Sequence, residues 1–355
     1  MKTLLRREYL VGAVVAVAGF GLVVLLVLAS GGDPVDAAIG WVDGAFGLPY
    51  NLSQTVTSAI PLVVIALGAA VPLRTGVVVV GAEGQMIVGA IAAAAVLLPF
   101  GNSVPSWMAL PLGAAAGAGG GAAWSLLPGL ALLRWRVSEI LSALLATFIA
   151  VQLLAYLLRT HLRDPAGSAT ARSANIPDPA LIPWLPVPGR FSTAVFAVLV
   201  LVLVAIWWHR GRGASLLEIF GERRWLAERT GVTPMRALLV TTVVSGAAAG
   251  LAGWFQLAAV DERLTPAVSG GVGFGGLIVA VLGRCRPIPI VVAGVVYAAI
   301  ATGAGGVQVR TGIPSAIGTV AQAVLLGTAL LAIALVRRST ARRTAAPDAR
   351  GGHDG

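Results

Sequence analysis

One lysine, one cysteine and three histidines are all that this 355-residue chain holds of those types. Each scarcity excludes a chemistry. A phosphate-binding P-loop needs a lysine behind its glycine-rich turn to reach the phosphates, and the only lysine is Lys2, so the chain carries no P-loop ATPase of its own. Cys285 has no second cysteine to pair with, and His161, His209 and His353 stand singly, which leaves neither a disulfide nor a metal set. No G-x-S-x-G stretch marks a hydrolase nucleophile. Charge is scarce too, at 11% against about 25% in a soluble domain, which excludes an ordinary cytosolic protein.

What fills the chain instead is apolar: 57% of residues are hydrophobic and the mean hydropathy is +0.89. The 45 glycines are dispersed among Ala, Val and Leu, as in membrane helices rather than flexible linkers. The composition predicts an all-α, polytopic transmembrane bundle. A bilayer core needs about 20 apolar residues per helix, and ten ranges meet that need: 10–30, 57–73, 76–98, 107–132, 138–158, 191–209, 237–260, 271–283, 288–304 and 314–336. The first, behind Lys2, Arg6 and Arg7, is too long for a signal-peptide core and reads as a retained anchor.

An even number of segments puts both termini on one side, and the basic residues say which. With the termini in the cytoplasm, 19 of the 25 basic residues fall inside and 6 outside, as the positive-inside rule requires. The formal net charge of +10 is therefore a record of topology and of attraction to anionic membrane lipid, not a nucleic-acid stripe.

Residues 1–336 read as one membrane domain with two long loops, and 337–355 as a disordered, basic cytoplasmic tail. The outer loop, 159–190, contains Pro165, Pro177, Pro179, Pro183, Pro186 and Pro188, too many for a regular helix. The inner loop, 210–236, mixes charged and apolar residues among good helix formers from Leu216 to Gly231. It reads either as an amphipathic helix against the membrane or a cytoplasmic partner, or as a solvated loop.

Two ionisable residues lie within the apolar segments, Glu83 and Glu139. Ser138 is placed to cap the helix that Glu139 begins, where the helix dipole favours a carboxylate. Glu83 is different, because Gly81 and Gly84 flank it and Gln85 follows in mid-segment. That cluster predicts a broken helix, which at membrane depth must be buried in protein or line a cavity. Glu83 and Gln85 either tie helices together or line a pathway. A second interruption runs from Ser269 to Gly276 and predicts a short helix from Phe274. Gly113, Gly117, Gly119, Gly120 and Gly121 read as helix-packing contacts.

The run Gly81-Ala82-Glu83-Gly84-Gln85-Met86, behind Arg74-Thr75-Gly76, resembles the hallmark of permease subunits of ABC importers in the branched-chain amino acid, ribose and nucleoside group, most closely the nucleoside or simple-sugar branch. Val137 to Ser142, Gly221 to Val232, Ser245 to Gly253, Gly273 to Arg284 and Gln308 to Pro314 agree in order and spacing, so the resemblance covers residues 57–336. It implies a permease that pairs with a second homologous permease, recruits cytoplasmic ATP-binding subunits and receives its solute from an external binding lipoprotein. ATP and Mg would then be bound by the partner ATPase, and the chain itself holds no cofactor. The resemblance makes a coupling helix of Gly221, Glu222, Arg223, Arg224, Trp225, Leu226, Ala227, Glu228, Arg229 and Gly231. Arg223, Arg224 and Leu226 depart from the small residues common there, which bears on the choice of ATPase. Glu83, Gln85, Phe274 and Gln308 become the pathway candidates, with Phe274 open also to a plain packing role. The competing reading is a stand-alone secondary transporter with Glu83 as its proton or cation site.

Overall fold

The computed structural model describes residues 17–76, 80–135, 137–165, 170–211, 234–313 and 315–344. The coupling stretch from Gly221 to Gly231 lies outside them. Among the described residues the chain is helical without a strand ladder. Its helices are α1 (Val17–Ala29), α2 (Pro34–Val42), α3 (Pro49–Arg74), α4 (Ala82–Leu97), α5 (Ser106–Trp135), α6 (Glu139–Arg159), α7 (Ala194–Arg210), α8 (Pro234–Gln256), α9 (Val272–Leu282), α10 (Pro287–Thr311) and α11 (Ser315–Thr344).

Each of the ten predicted segments coincides with one of these helices. Five are long and apolar enough to cross a bilayer alone, or six if the bent pair α1 and α2 counts as one span, while α7, α9 and the apolar part of α11 are shorter. The protein is thus a multi-pass membrane protein. The exposed surface agrees: Phe148, Phe196, Val200 and Trp207 are all more than half exposed, apolar side chains of the kind that lipid or a partner covers.

Several elements depart from expectation. α2 has no predicted counterpart, although Asp33 accepts from the Val35 amide as N-cap and Pro34 follows at the first helical position. Its nine residues are too few to register as a span. Ser138 stands at the N-cap of α6, but its side chain does not cap; its carbonyl instead accepts from the Ser142 amide and hydroxyl. α11 continues past residue 336 to Thr344, because Arg337 to Thr344 contains no Gly or Pro to stop it.

The chain forms two compact units, one of residues 1–51 with 299–355 and one of 52–298. In the first, α1 and α2 meet at a bend of 112°. Trp41 Nε1 donates to the Ile300 carbonyl at 3.0 Å, and Arg310 reaches Asp36 and Asp43 at 3.3 Å each. These ion pairs are exposed and contribute about 0–1 kcal/mol each.

In the second unit α3 is buried on nearly every side from Ala59 to Ala70. Beside it α4, α5 and α8 approach so closely that backbone meets backbone. Gly246-x-x-x-Gly250 on α8 faces Gly117-x-x-x-Gly121 on α5, and a methyl at Gly250 would overlap the Gly117 carbonyl. Gly89 of α4 meets Gly250 as well, and Gly253 abuts the Met86 carbonyl. Without a hydrophobic drive between helices in lipid, dispersion across such close contacts holds them together. Of the five glycines expected to pack on α5, Gly119 alone faces open space.

The described part of the proline-rich loop 159–190 is irregular, as its prolines require, yet it is docked. Ser173 exchanges two hydrogen bonds with Leu264, through its amide at 3.0 Å and its hydroxyl at 2.9 Å, and the Ile176 and Ile182 amides donate to Glu262 and Ala258. Ile176, Ala180 and Ile182 are buried there, over the π-turn Leu257–Asp261 that ends α8.

Gly250→Val should lower the melting temperature of the detergent-solubilised chain markedly, by the equivalent of about 1–3 kcal/mol of overpacking, whereas Gly119→Ala should leave it unchanged or raise it. Equal shifts in thermal unfolding would contradict the packing described.

Candidate functional site

The site is built where α4 and α9 begin. α9 starts at Val272, two residues before the expected Phe274, because Gly270 and Gly271 turn the chain with φ of +49° and +82° and release it into the helix. At 11 residues α9 is about 16 Å long, roughly half the ~30 Å apolar thickness of a bilayer. Irregular chain from Leu264 to Gly271 leads up to it, with Leu264, Val268 and Ser269 buried, the condition under which broken backbone survives at membrane depth.

The first turn of a helix has amides without intrahelical acceptors. In α9 a side chain from another helix supplies them. Glu83 is 6% exposed and lies in the first turn of α4. Its Oε1 accepts from the Gly271 amide at 3.0 Å, and its Oε2 accepts from Gly273 at 2.8 Å and Phe274 at 3.3 Å. The carboxylate therefore sits at the positive ends of two helices, its own and α9.

The flanking glycines explain themselves once this contact is seen. A methyl on Gly273 would collide with the Glu83 backbone, so only glycine lets α9 come near enough to be clasped. Gly84 presses against Thr147 of α6, where a methyl would stand 2.8 Å from the Thr147 Cα. On the far side of α9, Gly275 lies against Leu62 and Tyr297, and Gly276 against Ile65. α9 is thus wedged among α3, α4 and α10.

The structure brings Glu83 and Phe274 together and leaves Phe274 39% exposed. Gln85, two residues along α4, is 1% exposed, and its Oε1 has no hydrogen-bond partner among the described residues. Such a buried acceptor costs about 1–3 kcal/mol while unpaired. Gln308 is exposed on α10 and belongs to the other compact unit. Glu139 Oε1 is also buried without a partner among the described residues.

Sequence reasoning missed a set of buried polar residues on the early part of α3, spread around the helix and not confined to one face. Ser53, Thr55 and Thr57 are each 3% exposed or less, and Thr57 Oγ1 lacks a partner among the described residues. The signal was the run Ser53-Gln54-Thr55-Val56-Thr57-Ser58, five polar residues in six just ahead of an apolar stretch.

Comparison with known proteins agrees with this architecture. The family model described as branched-chain amino acid transport system / permease component matches residues 51–335. The chain is similar to the glucose ABC transporter permease protein TsgB13 of Haloferax volcanii, 31% identical over 325 residues, 88% of this chain and 83% of that one. It is similar also to the guanosine ABC transporter permease protein NupP of Bacillus subtilis, 26% identical over 89% of this chain and 91% of the relative. The nucleoside ABC transporter permease protein NupB of Lactococcus lactis is 26% identical, with 90% of each chain covered.

Glu83→Ala removes the acceptor of three amides and should abolish uptake and lower thermal stability by several kcal/mol, at about 1.5–3 kcal/mol per charge-assisted bond. Glu83→Gln keeps one carbonyl acceptor and should fall between. A stable Glu83→Ala variant, by thermal unfolding, would refute the clasp.

Proposed function

The chain belongs to the branched-chain amino acid transport system / permease component family, as a membrane permease subunit of an ABC importer rather than an enzyme, and from that premise we propose that it carries a neutral nucleoside or simple sugar inward. The observation that carries the choice of solute is the state of Glu83. Its carboxylate is engaged by three main-chain amides, so it serves as a positioning group and offers no free charge to a solute. Phe274, whose amide it holds, is left 39% exposed, while Gln85, two residues along α4, is buried with its Oε1 unpaired among the described residues. An exposed aromatic face next to a charge already engaged by amides suits a neutral molecule. Relatives named for glucose, guanosine and nucleosides support the same class.

The remaining parts of the proposal follow from the sequence. With no lysine beyond position 2, ATP is hydrolysed in partner subunits. The stretch from Gly221 to Gly231 is where they dock, a second permease completes the pathway, and an external lipoprotein delivers solute. Ten membrane segments with both termini cytoplasmic, in the cytoplasmic membrane, is the arrangement that 19 basic residues inside and 6 outside support. Closure of the ATPases would shift the population between outward- and inward-facing states. In that motion α9, tied to α4 by Glu83, moves with it as one body.

The stand-alone transporter reading asks Glu83 to bind and release a proton or cation through each cycle. A carboxylate that caps a helix is ill suited to that exchange, because each cycle would strand the amides it serves.

Uptake in proteoliposomes holding this chain, its permease partner and their ATPase should require ATP, and unlabelled nucleosides or hexoses should compete while charged amino acids do not. Accumulation driven by an ion gradient in liposomes holding this chain alone would overturn the proposal.

A further inference from the structure

A concave feature lies at the opposite end of α9 from the Glu83 junction. Beyond Gly283 the chain turns through Arg284 and Cys285, two non-glycine residues with left-handed φ of 52° and 55°. Such a conformation costs about 1–2 kcal/mol per residue and needs support from outside. Arg74, at the end of α3, provides it by donating Nε to the Cys285 carbonyl at 3.1 Å.

Around this turn a cavity of about 330 Å³ opens among α3, α7, α8 and α10, walled by aliphatic side chains such as Leu67, Val204, Leu251 and Ile290. It continues into a wider cleft lined by Arg74, His209, Arg210 and Arg286, and the two share Arg74, His209 and Pro287. Among the described residues neither lining contains a carboxylate. Arg74, Arg210 and Arg286 form no ion pair among the described residues. The result is an apolar slot, of the size of an ordinary ligand cavity, that ends in three guanidinium groups.

We propose that this cleft binds one anionic phospholipid, with an acyl chain in the apolar slot and the phosphate among Arg74, Arg210 and Arg286. Guanidinium forks hold phosphate bidentately. A basic pocket between membrane helices on the cytoplasmic side is a headgroup site by its chemistry, and that is the side to which the distribution of basic residues assigns all three arginines. Trp208 lines the apolar part and Trp207 beside it is 75% exposed, the amphipathic rings expected at headgroup depth. The slot is flanked by the lipid-facing surface of α7, where Val200 and Val204 are more than half exposed, so a lipid enters it from the bilayer. A zwitterionic lipid brings its own cation into the cluster and binds less well. The bound lipid would join the C-terminal end of α7 to the first turn of α10.

Native mass spectrometry of the full-length chain released from detergent, with added phosphatidylglycerol, phosphatidylcholine or glycerophosphoglycerol, tests this. One phosphatidylglycerol per chain should bind with about tenfold preference over phosphatidylcholine. Arg210→Gln/Arg286→Gln should lose most of that preference, and Ala247→Phe, which fills the slot, should weaken phosphatidylglycerol binding. Arg210 and Arg286 are exposed, so the double variant keeps its fold; Arg210→Gln alone gives the same readout should it not. Equal binding of the two lipids, an unchanged preference in the variants, or equal competition by glycerophosphoglycerol, which would make the site a free-anion site, overturns the proposal.

Discussion

A carboxylate holding three main-chain amides inside an apolar bundle is the interaction on which the arrangement of the second unit depends. Half a helix cannot stand at membrane depth with its first amides bare, since each would cost several kcal/mol in hydrocarbon. Glu83 removes that cost at one stroke and gains from it, because the positive ends of α4 and α9 converge on its charge. The glycines around it are consequences. Gly273 admits the Glu83 backbone, Gly84 admits Thr147, and Gly271 turns the chain into α9. An irregular entry, a short helix and a buried acid are therefore one device.

The same need to satisfy backbone without water shapes the ends of the bundle. At one end the proline-rich loop lays its amides on the carbonyls of Ala258, Glu262 and Leu264, where the π-turn that ends α8 gives way to irregular chain. At the other, Arg74 supports the strained turn between α9 and α10. Segments assigned to the outside, 159–190 and the chain beyond α8, meet each other, and arginines assigned to the inside, Arg74, Arg210 and Arg286, line one cleft. Close small-residue packing of α4, α5 and α8 then leaves little room for these ends to drift apart.

Much of this was legible beforehand, and for a definite reason. Apolar runs bounded by arginine and proline announce membrane helices regardless of their partners, so all ten expected segments coincide with helices. Glu83 announced itself by being a charge where charge is costly. Its partners did not, because they are main-chain amides of residues 188 to 191 positions away, and backbone leaves no side-chain signature. α2 escaped notice since nine residues make no span, despite Asp33-Pro34 at its start. Ser138 misled for a related reason: a capping residue type describes what a side chain can do, and here the Ser138 carbonyl takes the Ser142 hydroxyl instead.

The central claim is that Glu83 holds the start of α9 in place. Amide hydrogen exchange at Gly271, Gly273 and Phe274 reads that contact directly, in the wild-type chain and in Glu83→Ala, with the Gly250 region as internal reference. Protection of these three amides in the wild type, lost in the variant while residues around Gly250 stay protected, is the predicted result. Amides that exchange at the same rate with and without the Glu83 carboxylate would contradict it.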